Sequence, residues 1–213
     1  MPTRSLHAAI GTAERRLGPP LAAFRASVGG VAAVEFALVL PIMVTLLLGM
    51  SEITHAVNVD RKLTLVSRSL ADLTSRDKEV DSNFLDDAFK AATVIMQPFD
   101  ASKLQMAVSA MEVSKPSSTS YTMKALWSCA RGPSAEAKST STVYSDVPLG
   151  FRNATGTTDG TKSYHMHIEV KLPYTPMFGT AISGTINLSE STPWPIRVDG
   201  AVRLKDNLCP AAA

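Results

Sequence analysis

The chain contains few of the residues from which catalytic and cofactor sites are usually built. Its 213 residues include 2 cysteines, 4 histidines and 6% aromatic residues, and the formal net charge is +2. No GxSxG, HExxH, CxxC or phosphate-binding glycine loop occurs in it. A charge so close to neutral offers no electrostatic footprint for nucleic acid. We therefore predict a protein that is not an enzyme, uses no cofactor or metal, and binds neither nucleic acid nor a small-molecule substrate.

One long apolar run dominates the sequence: residues 31–50 read VAAVEFALVLPIMVTLLLGM. A helix of that length rises about 30 Å, which matches the hydrocarbon core of a bilayer. Glu35 is the only charged residue in the run, and membrane helices tolerate a proline such as Pro41. The run predicts a transmembrane helix rather than a buried soluble helix, because buried stretches this long and this apolar are unusual.

The flanks of the run predict its orientation. Arginines precede it at four positions, Arg4, Arg15, Arg16 and Arg25, and no lysine or arginine follows it before Arg61. Positively charged flanks stay in the cytoplasm. We therefore expect a single-pass protein of the bacterial inner membrane, with a cytoplasmic leader over residues 1–30, a transmembrane helix over 31–50 and a periplasmic domain over 51–213. A secretory signal peptide is the competing interpretation, but its core is typically shorter and uncharged.

The segment SVGGVAAVEFALVLP at residues 27–41 resembles the processing site of type IV pilin-like proteins. In that family a prepilin peptidase cuts after a glycine, and a glutamate is the fifth residue of the mature chain. The resemblance implies a cut between Gly30 and Val31. Residues 29–53 look more specifically like the TadE/TadG-like pseudopilins of the tight-adherence (Tad or Flp) pilus system. The positions that match their pattern are Gly30, Ala33, Glu35, Phe36, Ala37 and Pro41.

This resemblance implies a minor pseudopilin or assembly component of a Tad-type adherence and secretion machine that acts structurally through helix packing. Its implied partners are the membrane, a prepilin peptidase, other pilin-like subunits and Tad assembly components, and Glu35 with Phe36 forms the implied assembly and processing motif. Two interpretations of Glu35 stay open: it pairs with the new amine at Val31 in a bundle, or it only reaches the nearby headgroups. The alternative function is an unprocessed, single-pass membrane-anchored periplasmic binding module.

Helical periodicity continues beyond the apolar run. A stripe with three- and four-residue spacing predicts that the helix extends to about Ser75 as an amphipathic helix: Ala56, Val59, Leu63, Val66, Leu70 and Leu73. Such a stripe belongs to the intramolecular core more often than to an intersubunit seam. Asp81 and Ser82 are candidate caps of a second helix that ends near Gln97, since Pro98 follows. Its predicted apolar face is Leu85, Ala88, Phe89, Ala92 and Ile95.

The remainder alternates between apolar and polar residues, which predicts an antiparallel sheet with one buried and one wet face. The clearest runs lie at residues 104–108, 121–127 and 164–171, and a long polar loop or edge excursion spans 131–161. The fold class is therefore α+β and pilin-like. His165, His167 and Glu169 share one strand face, which we interpret as the solvent face rather than a metal site. Cys129 and Cys209 both lie on the exported side, where a disulfide between them is expected.

Overall fold

The computed structural model describes residues 28–116, 120–152, 162–177 and 184–210. The chain divides into two compact units, Met1–Leu48 and Gly49–Ala213. Helix α1 comprises Val28–Thr74. Its residues up to Leu48 are the part of the first unit that the structure describes. The remainder of α1 belongs to the second unit, together with helix α2 (Ser82–Met96) and the strands. Of the leader predicted over residues 1–30, residues 1–27 lie outside the described residues.

The part of α1 in the second unit packs its predicted stripe into the core. Val59, Leu63, Val66 and Leu70 are all at most 2% exposed, because their spacing puts them on one side of the helix. These residues contact α2 side chains and one face of the sheet in a single cluster. The prediction that this stripe forms intramolecular core is therefore confirmed.

Helix α2 begins at the predicted cap. The Asp81 carboxylate accepts a hydrogen bond from the Phe84 backbone N–H at 2.7 Å, which satisfies one of the orphan donors of the first turn. The residues buried on this helix are Leu85, Ala88, Phe89, Ala92 and Met96. Met96 rather than the predicted Ile95 therefore completes the buried face, and Ile95 is only partly buried.

The main sheet has five antiparallel strands in the order β4-β3-β2-β5-β6. The strands are β2 (Gln105–Ser114), β3 (Thr122–Arg131), β4 (Val143–Tyr144), β5 (Lys162–Tyr174) and β6 (Ile186–Pro195). Two short strands, β1 (Glu79–Val80) and β7 (Arg203–Leu204), pair in parallel. Two residues carry no periodicity, so this small sheet could not be predicted. The α+β class with an apolar first helix is confirmed.

Strand β3 contains a β-bulge at Leu126. The alternation of its side chains between the two sheet faces is therefore reversed from one side of the bulge to the other. Ala110 pairs with Trp127, but the next residue, Met111, pairs with Ala125. The extra residue reverses the alternation. Trp127 therefore packs in the helix-side core, whereas Met123 and Ala125 pack in a second core on the other side of the sheet. The sequence pattern had placed these three side chains on one face, and that placement was wrong.

Residues 132–152, which we call the cap, supply the edge strand β4 and pack Val147 and Phe151 onto the second face of the sheet. Val147 from the cap completes a small core with buried residues of β2 and β3, namely Met111, Val113, Met123 and Ala125. A 3-10 helix, Leu149–Phe151, lies at the end of the cap. The predicted polar loop is thus an ordered edge excursion over 132–152, and residues 153–161 lie outside the described residues. The expectation of one wet sheet face was wrong over the area that the cap covers.

Candidate functional site

The predicted processing junction lies at the beginning of α1. This helix starts at Val28, so Gly30 and Val31 are both helical. Val31 and Phe36 are 61% and 62% exposed, and Glu35 is also exposed. Within the described residues, no hydrogen bond or ion pair of the Glu35 carboxylate is found. The segment therefore presents a bare carboxylate on an otherwise apolar helix surface, four residues beyond Val31.

The helix that follows is long and apolar enough to cross a membrane, and its apolar side chains face outward on all sides. In its most apolar window no residue is buried within the chain. The threonine within this apolar part, Thr45, donates a hydrogen bond to the Pro41 carbonyl one turn back at 2.7 Å. Satisfying a hydroxyl in this way lets it lie in an apolar surrounding. An apolar surface all around this part of the helix indicates a membrane anchor.

The first turns of the second unit carry contacts that the sequence did not reveal. The Tyr174 hydroxyl donates a 3.0 Å hydrogen bond to the Glu52 carboxylate. The His55 ring lies against Phe99 with centroids 5.0 Å apart and against Tyr174 at 5.8 Å. Burial of Tyr174, followed by the nearby Glu52 carboxylate, raises the pKa of Tyr174 to about 12. These contacts fasten α1 to the end of β5, more than 100 residues away in the chain.

The face with His165, His167 and Glu169 is not the solvent face that the sequence indicated. His165 is 0% exposed and His167 is 7% exposed, because the cap lies over them. His167 Nε2 lies 3.2 Å from both Glu169 Oε1 and Ser191 Oγ. Among the described residues, no group of three or more metal-ligating side chains is suitably arranged. The trio is therefore part of a buried polar layer between sheet and cap.

Glu169 connects this layer to the cap. Lys138 of the cap donates from Nζ to Glu169 Oε1 at 2.6 Å, and the Lys138 backbone N–H donates to Ser128 Oγ at 2.8 Å. The hydrogen bond with His167, and then the Lys138 ammonium, lower the pKa of Glu169 to about 2 although burial opposes the shift. Glu169 is therefore ionised throughout the physiological range and holds Lys138 against the sheet.

Cys129 and Cys209 are joined by a disulfide in the structure, 80 residues apart in the chain. Cys129 is buried on β3, whereas Cys209 lies in the C-terminal segment. That segment also receives a 2.8 Å hydrogen bond from Trp127 Nε1 to the Val202 carbonyl. The disulfide therefore fixes the segment from β7 to Cys209 against strand β3.

We predict that the isolated protein contains this bridge. A crosslink that closes a loop of this length contributes roughly 4 kcal/mol in the chain-entropy model. Nonreducing and reducing gels after thiol alkylation should give different mobilities and no alkylated cysteine before reduction. Cys209→Ser should remove the mobility difference and lower the melting temperature. Two freely alkylated thiols in the folded, isolated protein would contradict the prediction.

Comparison with known families gives a match that lies on α1. The family model described as "TadE-like protein" matches residues 30–72. These residues run from the glycine of the predicted cleavage site to the end of the buried stripe on α1. No curated protein and no solved structure matches the chain. The resemblance seen in the sequence is thus confirmed over α1, while the sheet and cap have no counterpart in these comparisons.

Proposed function

We propose, on the premise that residues 30–72 are TadE-like, that the protein is a minor pseudopilin or assembly component of a Tad-type pilus machine. The match associates the chain with the Tad pilus and, together with the apolar helix, with a membrane. Its role is structural rather than catalytic: it is anchored, processed, and packed against other pilin-like helices. The observation that carries the proposal is Glu35 standing alone on an exposed apolar helix, one turn beyond Gly30 and Val31.

The proposed location is the bacterial inner membrane, with residues 1–30 in the cytoplasm and residues 51–213 in the periplasm. The arginines of the leader support this orientation, because basic flanks are retained inside. The first charged residue after the run, Glu52, is anchored to Tyr174 by a hydrogen bond. A span of about 20 residues before this point is consistent with the thickness of a bilayer.

Processing would create the charge that Glu35 needs as a partner. Cleavage after Gly30 by a prepilin peptidase leaves an α-amino group on Val31, which is largely protonated near neutral pH. The positive end of the helix dipole disfavours an ammonium at this position. Residues four apart lie on the same helix face, so the Glu35 carboxylate is within one turn of that amine. The cut therefore converts a lone carboxylate into one half of an ion pair.

Pairing between neighbouring chains would drive assembly. Two charges in hydrocarbon are costly apart and much less costly together. The exposed apolar side chains around them, such as Leu38 at 71% and Leu46 at 68%, give another pilin-like helix a surface on which to pack. Prepilin peptidase, pilin-like subunits and Tad assembly components are thus the proposed partners, and Phe36 belongs to the packing surface.

The second candidate is a single-pass anchored binding module that is never processed. In such a module the second unit, with the surface groove lined by Lys138, His167 and Glu169, would bind a partner in the periplasm. Such a module would need a hydrophobic anchor, but neither a glycine at position 30 nor a carboxylate at position 35. The mature N-terminus therefore separates the two functions.

Processing is tested by sequencing the mature N-terminus. Coexpressed with a prepilin peptidase, the chain should begin at Val31. Gly30→Leu should block the cut, because a large side chain obstructs the approach of the peptidase to the backbone. Gly49→Leu is the matched control: it changes a glycine on the same helix with nothing within 4 Å of its Cβ position. An intact leader in the parent, or normal processing of Gly30→Leu, would exclude the pilin-like maturation.

A further inference from the structure

The cap lies over a histidine that has no polar partner. The His165 ring is 0% exposed and stacks on Phe151 of the cap, with centroids 4.4 Å apart. Neither ring nitrogen of His165 has a hydrogen-bond partner among the described residues. A buried polar group without a partner is costly, and the cost rises steeply when it becomes charged. His165 is therefore compatible with the closed cap only as the neutral imidazole.

His167, two residues further along β5, has the polar partners that His165 lacks. Its Nε2 lies beside the Glu169 carboxylate and the Ser191 hydroxyl. A proton added to His165 would meet no anion, since neither of its ring nitrogens has a hydrogen-bond partner among the described residues. The two histidines therefore differ in their polar partners, although they share one strand face.

The charged groups around His165 do not compensate for a proton on its ring. On β5, Glu169 is already bonded to Lys138 of the cap, and Lys162 is 3.3 Å from Glu112 of β2. On the cap, Arg152 donates from Nε to the Val147 carbonyl at 2.9 Å, and Asp146 lines a surface groove together with His167 and Glu169. The residues that pair directly with His165 are uncharged: Met111 on β2 and Pro195 on β6.

We propose that His165 is an acid-sensitive latch: protonation of its ring releases the cap from the outer face of the sheet. The opening breaks the Phe151 stack and uncovers the second core around Val147. It leaves the helix-side core intact, since that core lies on the other side of the sheet. The latch is independent of the proposed pilus role, because none of its residues lies in the TadE-like segment.

The sign and range of the response follow from the local environment. Burial, and then repulsion from His167, lower the pKa of His165 from 6.5 to about 4 in the closed form. The open form therefore binds protons more strongly, and closure is lost as the pH falls from about 6.5 towards about 4. For a ring that returns to its ordinary pKa on opening, the opening equilibrium rises about 20-fold between pH 7 and pH 5.

Hydrogen–deuterium exchange on the full-length protein in detergent tests the latch. The reporter is the backbone amide of Lys138 in the cap, which donates to Ser128 Oγ of β3 at 2.8 Å, and the reference is the centre of β2. After correction for the intrinsic pH dependence of exchange, protection of the cap should fall about 20-fold from pH 7 to pH 5, while β2 stays protected. Equal protection of the cap at both pH values would overturn the proposal.

Three variants assign the response to His165. His165→Phe keeps an aromatic ring against Phe151 but cannot titrate, so its cap should stay protected at pH 5. His165→Gln serves where the phenylalanine variant does not fold, because it is also unable to titrate. His55→Gln is the matched control, since His55 contacts Phe99 and Tyr174 far from the cap, and it should keep the parental response. An unchanged acid response in both His165 variants would refute the latch.

Discussion

Replacing Glu35 by alanine is expected to leave the protein in the membrane but to abolish its assembly with pilin-like subunits. The proposed partner of this carboxylate is the amine that processing creates on Val31 of a neighbouring chain. Removing one member of a buried ion pair costs roughly 3–5 kcal/mol, because the remaining charge loses its compensation. Membrane insertion should not suffer, since the span becomes more apolar.

Site-specific crosslinking to neighbouring subunits, normalised to the amount in the membrane, measures this effect. Glu35→Gln is the matched variant: its amide still accepts a hydrogen bond, so it should lose less crosslinking than the alanine variant. The N-terminus of each variant is sequenced in parallel, so that a loss of assembly is not confused with a loss of processing. Parental crosslinking and piliation in Glu35→Ala would leave the carboxylate no role beyond reaching the headgroups.

Gly132→Ala should strongly destabilise the second unit or prevent it from folding. Gly132 follows β3 at the beginning of the cap, and its φ of +110° is unfavourable for any residue with a Cβ. A Cβ at this position would lie 2.0 Å from the Leu104 carbonyl oxygen, which is rigid backbone at the start of β2. The strained φ costs about 1–2 kcal/mol, and the clash should raise the total above roughly 3 kcal/mol.

Two other glycines separate these contributions. Gly200→Ala has a positive φ of +88° but nothing within 4 Å of the new Cβ, so it should show the φ penalty alone. Gly150→Ala has neither a positive φ nor a close neighbour and should be nearly neutral. Thermal unfolding of the three variants, followed by circular dichroism, compares them directly. A Gly132→Ala protein as stable as Gly200→Ala would show that the Leu104 carbonyl can move aside at little cost.

The α-helical part of the molecule was predictable because its signals are local. The Asp81 cap acts within its own first turn, and Pro98 bars continuation of the same helix. The stripe from Val59 to Leu70 depends only on the helix period. For the same reason the resemblance to TadE-like proteins could be recognised from residues 29–53 alone, and the matched region, 30–72, extends it along the same helix.

The sequence predicted that the β part consists of strands, but it did not predict which sheet face each side chain lies on. The alternation of Trp127 with its neighbours indicated a strand, yet the bulge at Leu126 reverses the facing of Met123 and Ala125. A β-bulge depends on how two strands pair with each other, and the sequence of one strand alone does not show it. His165 and His167 likewise read as exposed, since polar residues alternating along a strand usually face water.

The sequence by itself determined the membrane anchor, the two helices and the α+β class, because length, composition and helical period act within short stretches of chain. The tertiary structure decided which sheet face is dry, where Glu52 is fastened and which histidine lacks a partner. Those outcomes depend on segments far apart in the chain, such as Tyr174 against Glu52 and Phe151 against His165. A distant segment that buries a side chain raises the free-energy cost of charging that side chain. The residues near it in sequence do not record this burial, so only the folded structure shows it.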